Sequence, residues 1–275
     1  MWKDTALRVG TALVGLVIFF IVVFLDRIAL DIAISILILL ILFEVYRAFH
    51  YGWTFAILGC IGSFIVVGAL SVGSIDFFMG ALVLYVIVLV LFSVLGYKRL
   101  RFSDIAIMFF ATIYISCFLK YVSQVRDLDN GLYYVFLIFI CAWADDTGAY
   151  FIGKLLGKHK LAPGISPKKT VEGSVGGVVF ALLGCMILGL VAQFGFHMQV
   201  NYIALAIVGL IGPCLGQLGD LAASLMKREC GVKDFGHIMP GHGGLLDRFD
   251  SVILIAPFVY YAVLAAEYFE TFIIG

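Results

Sequence analysis

Acidic, basic and hydroxyl side chains are gathered into two short stretches of this sequence, in a pattern suited to holding phosphate groups. The first opens with Asp145-Asp-Thr-Gly-Ala-Tyr150 and resumes, after a gap, as Ser166-Pro-Lys-Lys-Thr-Val-Glu-Gly173. The second begins at Ser224 and reads Ser-Leu-Met-Lys-Arg-Glu-Cys-Gly-Val-Lys-Asp-Phe-Gly-His-Ile-Met-Pro-Gly-His-Gly-Gly-Leu-Leu-Asp-Arg-Phe-Asp to Asp250. Ammonium and guanidinium groups neutralise phosphate, and carboxylates bind a hard cation that can bridge to it. At a helix start, Ser166, Lys169 and Thr170 would offer hydroxyl, ammonium and free backbone N–H groups together. Asp220, Ser224, Lys227 and Arg228 follow one another at helical spacing and share a face. Gly243 and Gly244 allow a tight turn or close approach of the backbone to a ligand. Asp247 and Asp250, three apart, open a further helix, where carboxylates are favoured and can face one cation.

The elements that must position these groups are membrane helices. The chain has 275 residues, of which 63% are hydrophobic and only 13% charged, with a mean hydropathy of +1.13. A soluble domain would carry roughly 25% charged residues. Continuous apolar runs, rather than alternating ones, point to helices and not a barrel. Nine runs of near-spanning length lie at about 8–25, 28–46, 54–73, 76–96, 104–121, 132–151, 173–194, 201–226 and 250–273. The expectation is an all-α polytopic membrane protein with about nine transmembrane helices. Residues 1–131 would form a scaffold of five spans in contact with lipid. Residues 132–275 would carry the chemistry on spans six to nine and the loops 152–172 and 227–249.

Of the 18 Lys and Arg residues, all but Arg27, Lys120 and Arg126 fall on the side that holds the N-terminus and the even-numbered loops. The positive-inside rule then makes that side, with both polar loops, cytoplasmic and the C-terminus external. Lys3 and Arg8 precede an apolar run without a small-x-small cleavage site, so the first helix is read as uncleaved. The six cysteines show no CxxC spacing, and neither a disulfide framework nor a zinc site is expected. Glu44 and Arg47, three apart, read as an interfacial ion pair. Gly59, Gly62, Gly68 and Gly73 suggest close helix packing. Pro163 and Pro167 would stiffen an otherwise irregular polar loop.

The Ser224–Asp250 stretch resembles the signature of the phosphatidate cytidylyltransferases (CDP-diacylglycerol synthases). That pattern is Ser-x-apolar-Lys-Arg, four residues, Lys-Asp, a gap, then Pro-x-His-Gly-Gly-x-x-Asp-Arg-x-Asp, and every fixed position is filled here. Asp146-Thr-Gly-Ala-Tyr150 and Ser166–Gly173 resemble the same family's second block, Asp-x-x-Ala-Tyr then Ser-Pro-x-Lys-Thr-x-x-Gly. Asp146 and Lys169 are the matching acid and lysine, rather than Asp145 or Lys168. The resemblance covers roughly residues 140–251, about 40% of the chain. One departure is Ala223, where the family usually has an acid before the serine.

The resemblance implies that CTP and phosphatidic acid give CDP-diacylglycerol and pyrophosphate, in the cell (cytoplasmic) membrane with the active site facing the cytoplasm. The attacking group is a phosphate monoester, already anionic, so charge neutralisation and in-line alignment outweigh general base catalysis. Asp220 and Asp247, with Asp146 nearby, are the expected Mg2+ ligands; a second cation, K+ among the candidates, stays open. Lys169, Lys227, Arg228, Lys233 and Arg248, with Ser166, Thr170, Ser224, Gly243 and Gly244, would bind the phosphates. His242 would contact phosphate or transfer a proton. Partners are the two substrates and the bilayer, not nucleic acid, and a homodimer stays open. A CTP-dependent polyprenol or phytol kinase is the nearest alternative, and an ion-coupled transporter the alternative from another class.

Overall fold

The computed structural model describes residues 2–98, 100–236, 238 and 243–273, with side chains between residues 10 and 268, position 12 aside. Among the described residues the elements are helices α1 (Trp2–Phe24), α2 (Arg27–Ala48), α3 (Trp53–Val72), α4 (Ile75–Leu95), α5 (Phe102–Arg126) and α6 (Gly131–Leu156), strands β1 (Lys160–Ala162) and β2 (Ser166–Thr170), then helices α7 (Val171–Phe196), α8 (Tyr202–Cys230) and α9 (Leu246–Ile273). Eight of the helices, α2 to α9, have described stretches long and apolar enough to cross a bilayer. The remaining expected span, the first at about 8–25, coincides with α1, whose described apolar stretch is the shorter Leu13–Phe24. The chain is thus an all-α, multi-pass membrane protein with one small hairpin added.

Local signals account for the helix limits. Asp26 caps α2 by accepting from Ala29 N at 2.8 Å, and Asn201 Oδ1 accepts from Ile203 N and Ala204 N at the start of α8. α3 stops at Gly73, which takes the left-handed conformation at φ 72°. Thr170 caps α7, its Oγ1 accepting from Gly173 N at 3.1 Å.

By packing, the chain divides into two compact units, residues 1–120 with 230–247 and residues 121–229 with 248–275. In the first unit, buried polar side chains bond to one another, as an apolar surround demands. Thr112 Oγ1 on α5 meets the hydroxyls of Tyr46 on α2 at 2.5 Å and Tyr85 on α4 at 2.8 Å. Ser116 on α5 donates to Ser63 on α3 at 2.9 Å, and Lys120 pairs with Asp31. Of the four glycines expected to bring helices close, Gly59 and Gly62 do so, facing the rings of Tyr46 and Tyr85, whereas Gly68 faces open space. α4 turns outward: only 11% of its apolar window is buried, the surface expected of a lipid-facing helix.

In the second unit, α6 and α7 pack tightly along their length, joined by the antiparallel β1–β2 hairpin. Its register pairs Lys160 with Thr170 and Ala162 with Ser166. The segment expected to be an irregular loop is therefore ordered. Pro163-Gly164 occupies the two centre positions of a β-turn closed by Ile165 N donating to Ala162 O at 3.1 Å. Pro167 is tolerated because a two-stranded sheet has only edges. All six cysteines are free thiols.

Candidate active site

In the second unit, a cavity of about 350 Å3 opens where α6, the hairpin, α7 and α8 meet, lined by Asp145, Asp146, Lys168, Lys169, Thr170 and Gln217 among others. The two adjacent acids divide their tasks. Asp145 is buried, 3% exposed, and its Oδ1 accepts from Gln217 Nε2 at 2.7 Å. Gln217 also donates to Ser174 O at 3.0 Å and accepts from Ser174 Oγ, so α6, α7 and α8 are tied through one amide. Asp145 approaches α7 this closely because position 177 is glycine; a Cβ there would fall on its Oδ1. Asp146, one residue on, is accessible and faces the cavity.

The alternation of β2 orients the lysines. Lys168 is exposed and Lys169 half-buried, and the Lys169 ammonium is ion-paired with Asp220 Oδ2 on α8. Asp220 Oδ1 accepts a long, weak bond from the buried Ser224 at 3.4 Å. Asp250 on α9 belongs to the same charged cluster, being 8% exposed and within electrostatic reach of Asp146, Asp220 and Lys227. α8 and α9 come close at Gly219, where a Cβ would collide with Asp250 O. Arg248 acts on Asp146 by its charge. Arg228 spends Nε on Ile165 O at 3.1 Å, bracing the hairpin turn. Ser166 lies half-buried on β2, and Thr170 uses its hydroxyl as the cap of α7.

One positioning element carried no clear sequence signal. Glu172, in the first turn of α7, accepts from Lys158 N at 3.1 Å and His159 N at 3.2 Å, and its other oxygen meets His159 Nδ1 at 2.6 Å. It ties the foot of the hairpin to α7.

The remaining signature residues lie in the first unit. Asp247 Oδ2 accepts from Phe235 N at 3.1 Å and Gly244 N at 3.0 Å, drawing together the two arms of the loop between α8 and α9. Lys233 is exposed on that loop and Gly244 is buried. Gly243 has φ 88°, a conformation that L side chains rarely adopt, which explains glycine there. His242, like His237, lies outside the described residues. Glu44 departs from expectation. It is buried at 3% exposure, and its Oε2 accepts from Leu245 N and Leu246 N rather than from Arg47.

A profile described as the cytidylyltransferase family matches residues 6–266. The chain belongs to the cytidylyltransferase family. A Bacillus subtilis (strain 168) protein named phosphatidate cytidylyltransferase is 46% identical over 177 residues, 64% of each chain. A Staphylococcus saprophyticus protein of that name is 40% identical over 182 residues, 66% of this chain and 68% of the relative. One from Staphylococcus haemolyticus is 42% identical over 170 residues, 62% and 63% of the two chains. The chain thus spans a little under two thirds of the length of the first of these cytidylyltransferase relatives.

The candidate site is rich in hard carboxylate oxygens, the donors that Mg2+ prefers. Among the described residues, no three His, Cys, Asp or Glu side chains are grouped as a ready-made metal site. Mg2+ does not need one, since it usually takes one or two carboxylates and completes its shell with substrate phosphate and water. Asp146 and Asp220, electrostatic neighbours in one unit, fit that mode.

Proposed function

We propose that this protein is a phosphatidate cytidylyltransferase, transferring the cytidylyl group of CTP to the phosphate of phosphatidic acid and releasing pyrophosphate. The observation that carries the reading is the Lys169–Asp220 pair beside Asp146, at a cavity lined in large part by the Asp146–Tyr150 and Ser166–Gly173 segments that resemble one of the family's blocks. Relatives bearing that enzyme's name support it.

In this reading, residues 132–275 carry the chemistry. Lys169, Lys227, Lys233 and Arg248 bind the triphosphate and the lipid phosphate, and Arg228 holds the hairpin in place beside them. Ser166, Thr170 and Ser224 line the same ground, Gly243 and Gly244 let the backbone approach a phosphate, and His242 contacts one. The lipid phosphate oxygen attacks the α-phosphorus of CTP; the bond to the β-phosphate oxygen breaks, and pyrophosphate leaves with the electron pair. The attacking oxygen is already anionic, so the side chains orient and neutralise rather than remove a proton. Asp146 and Asp220 would hold Mg2+, with Asp247 added on the strength of the signature; K+ is the proposed second cation. When bound, Mg2+ supplies charge neutralisation to the phosphates.

The site would face the cytoplasm from the cell membrane, as the charge bias of the loops supports. A homodimer is compatible with this reading. The test is purified protein incubated with cytidine-labelled CTP, phosphatidic acid and Mg2+. Label extracting with the lipid is expected; label remaining wholly in water-soluble nucleotides would overturn the assignment.

A further inference from the structure

Glu44 stands on α2, far in sequence from the signature, yet its carboxylate accepts from Leu245 N at 2.7 Å and Leu246 N at 3.2 Å, 201 and 202 residues away. Those amides open α9, where a helix leaves its first N–H groups unpaired and a negative charge is favoured. Two glycines of the loop form the slot. A Cβ at Gly236 would fall on Glu44 Oε1, and one at Gly244 would lie 2.6 Å from Oε2 and 2.8 Å from Gly236 N. Asp247 bonds the same two arms, through Phe235 N and Gly244 N. The neck of the loop is therefore gripped by one carboxylate from its own helix and one from α2. Charged acceptors make the stronger kind of hydrogen bond, so each grip is worth having. An acid at 3% exposure is costly in a membrane helix unless it makes such contacts.

We infer that Glu44 is a positioning residue for the reaction: from the half of the chain without motifs, it fixes the conformation of the signature loop between α8 and α9. The inference rests on the function proposed above. It also explains how the two neck glycines, Gly236 and Gly244, can hold one geometry, since the grip there replaces the stiffness that glycine lacks. Glu44 meets backbone amides at the neck of the loop and acts through them.

The test compares wild type, Glu44→Ala and Glu44→Gln in detergent, by deuterium exchange of peptides covering residues 232–246, thermal melting and steady-state kinetics. Glu44→Ala is expected to speed exchange in that loop with other helices unchanged. Its kcat should fall roughly ten- to a hundredfold while KM for CTP stays within about threefold. Glu44→Gln, which keeps an acceptor oxygen, should recover most of both properties. Unchanged loop exchange, normal kcat in folded Glu44→Ala, or faster exchange spread over the whole protein would overturn the inference. Wild-type protein without cytidylyl transfer would overturn the proposed function and the catalytic half of this inference, whereas the exchange data decide the anchoring independently.

Discussion

The ammonium of Lys169 on β2 is ion-paired with the carboxylate of Asp220 on α8, and each side chain keeps 26% of its surface accessible. A pair this open contributes little to stability, about 0–1 kcal/mol, because water screens it. Its value lies in placing a cation and an anion side by side where a phosphate can reach both.

The lysines of the hairpin region should therefore separate by function. Lys169→Ala is expected to lower kcat/KM for CTP by roughly ten- to a hundredfold, the loss of a charge-assisted contact of about 1.5–3 kcal/mol. Lys158→Ala should have little effect, since the contact seen for Lys158 is made by its backbone N–H, to Glu172. Melting temperatures of both variants should stay near wild type. Equal kinetic losses from the two substitutions would count against the role given to Lys169.

Adjacent acids should separate too. Asp145 is buried and holds Gln217, so Asp145→Ala should destabilise by about 1–3 kcal/mol, through the lost hydrogen bond and one Gln217 N–H left without its acceptor. Asp146 faces the cavity, and Asp146→Asn should leave melting almost unchanged while turnover falls by orders of magnitude. Asp220→Asn and Asp247→Asn should likewise lose turnover, and the double variant should lose little more than either single one. Turnover measured against Mg2+ concentration checks this; near-normal turnover with normal Mg2+ dependence in any of these variants removes that residue from the metal site.

Gly219 offers a packing test free of substrate. Gly219→Ala would press a methyl group onto Asp250 O, a backbone atom that cannot swing aside, and should cost about 1–3 kcal/mol. Gly80→Ala, in a helix with open space at that position, should be neutral or slightly stabilising. Detergent melting curves of the two variants supply the comparison.

For topology, an impermeant thiol reagent applied to intact cells should fail to label Lys160→Cys or Lys233→Cys in a background lacking native cysteines. Both positions are exposed. Strong labelling of either would reverse the orientation taken from the loop charges.

The helices were legible because a bilayer demands long continuous apolar runs, and eight of the nine expected stretches coincide with α2 to α9. The β1–β2 hairpin was not, because its prolines and lysines read as loop; only Pro163-Gly164 marked the turn. Lys169 and Asp220 could be picked out by motif and by helical face, but their pairing joins residues that sequence leaves far apart. Glu44 was misread for the same reason. Its spacing to Arg47 offered a local partner, whereas its observed acceptor role involves amides some 200 residues downstream. Periodicity reports which face a residue takes; it does not report what the fold brings to that face.

The proposed reaction is defined by which phosphate of CTP moves. CTP carrying one label on the α-phosphate and a different one on the γ-phosphate, given to the purified protein with phosphatidic acid and Mg2+, answers this in one measurement. Cytidylyl transfer predicts the α-label in the lipid phase, in equal amount with γ-label in pyrophosphate. The γ-label in the lipid phase, with the α-label left in CDP, would contradict the account and make the protein a CTP-dependent lipid kinase.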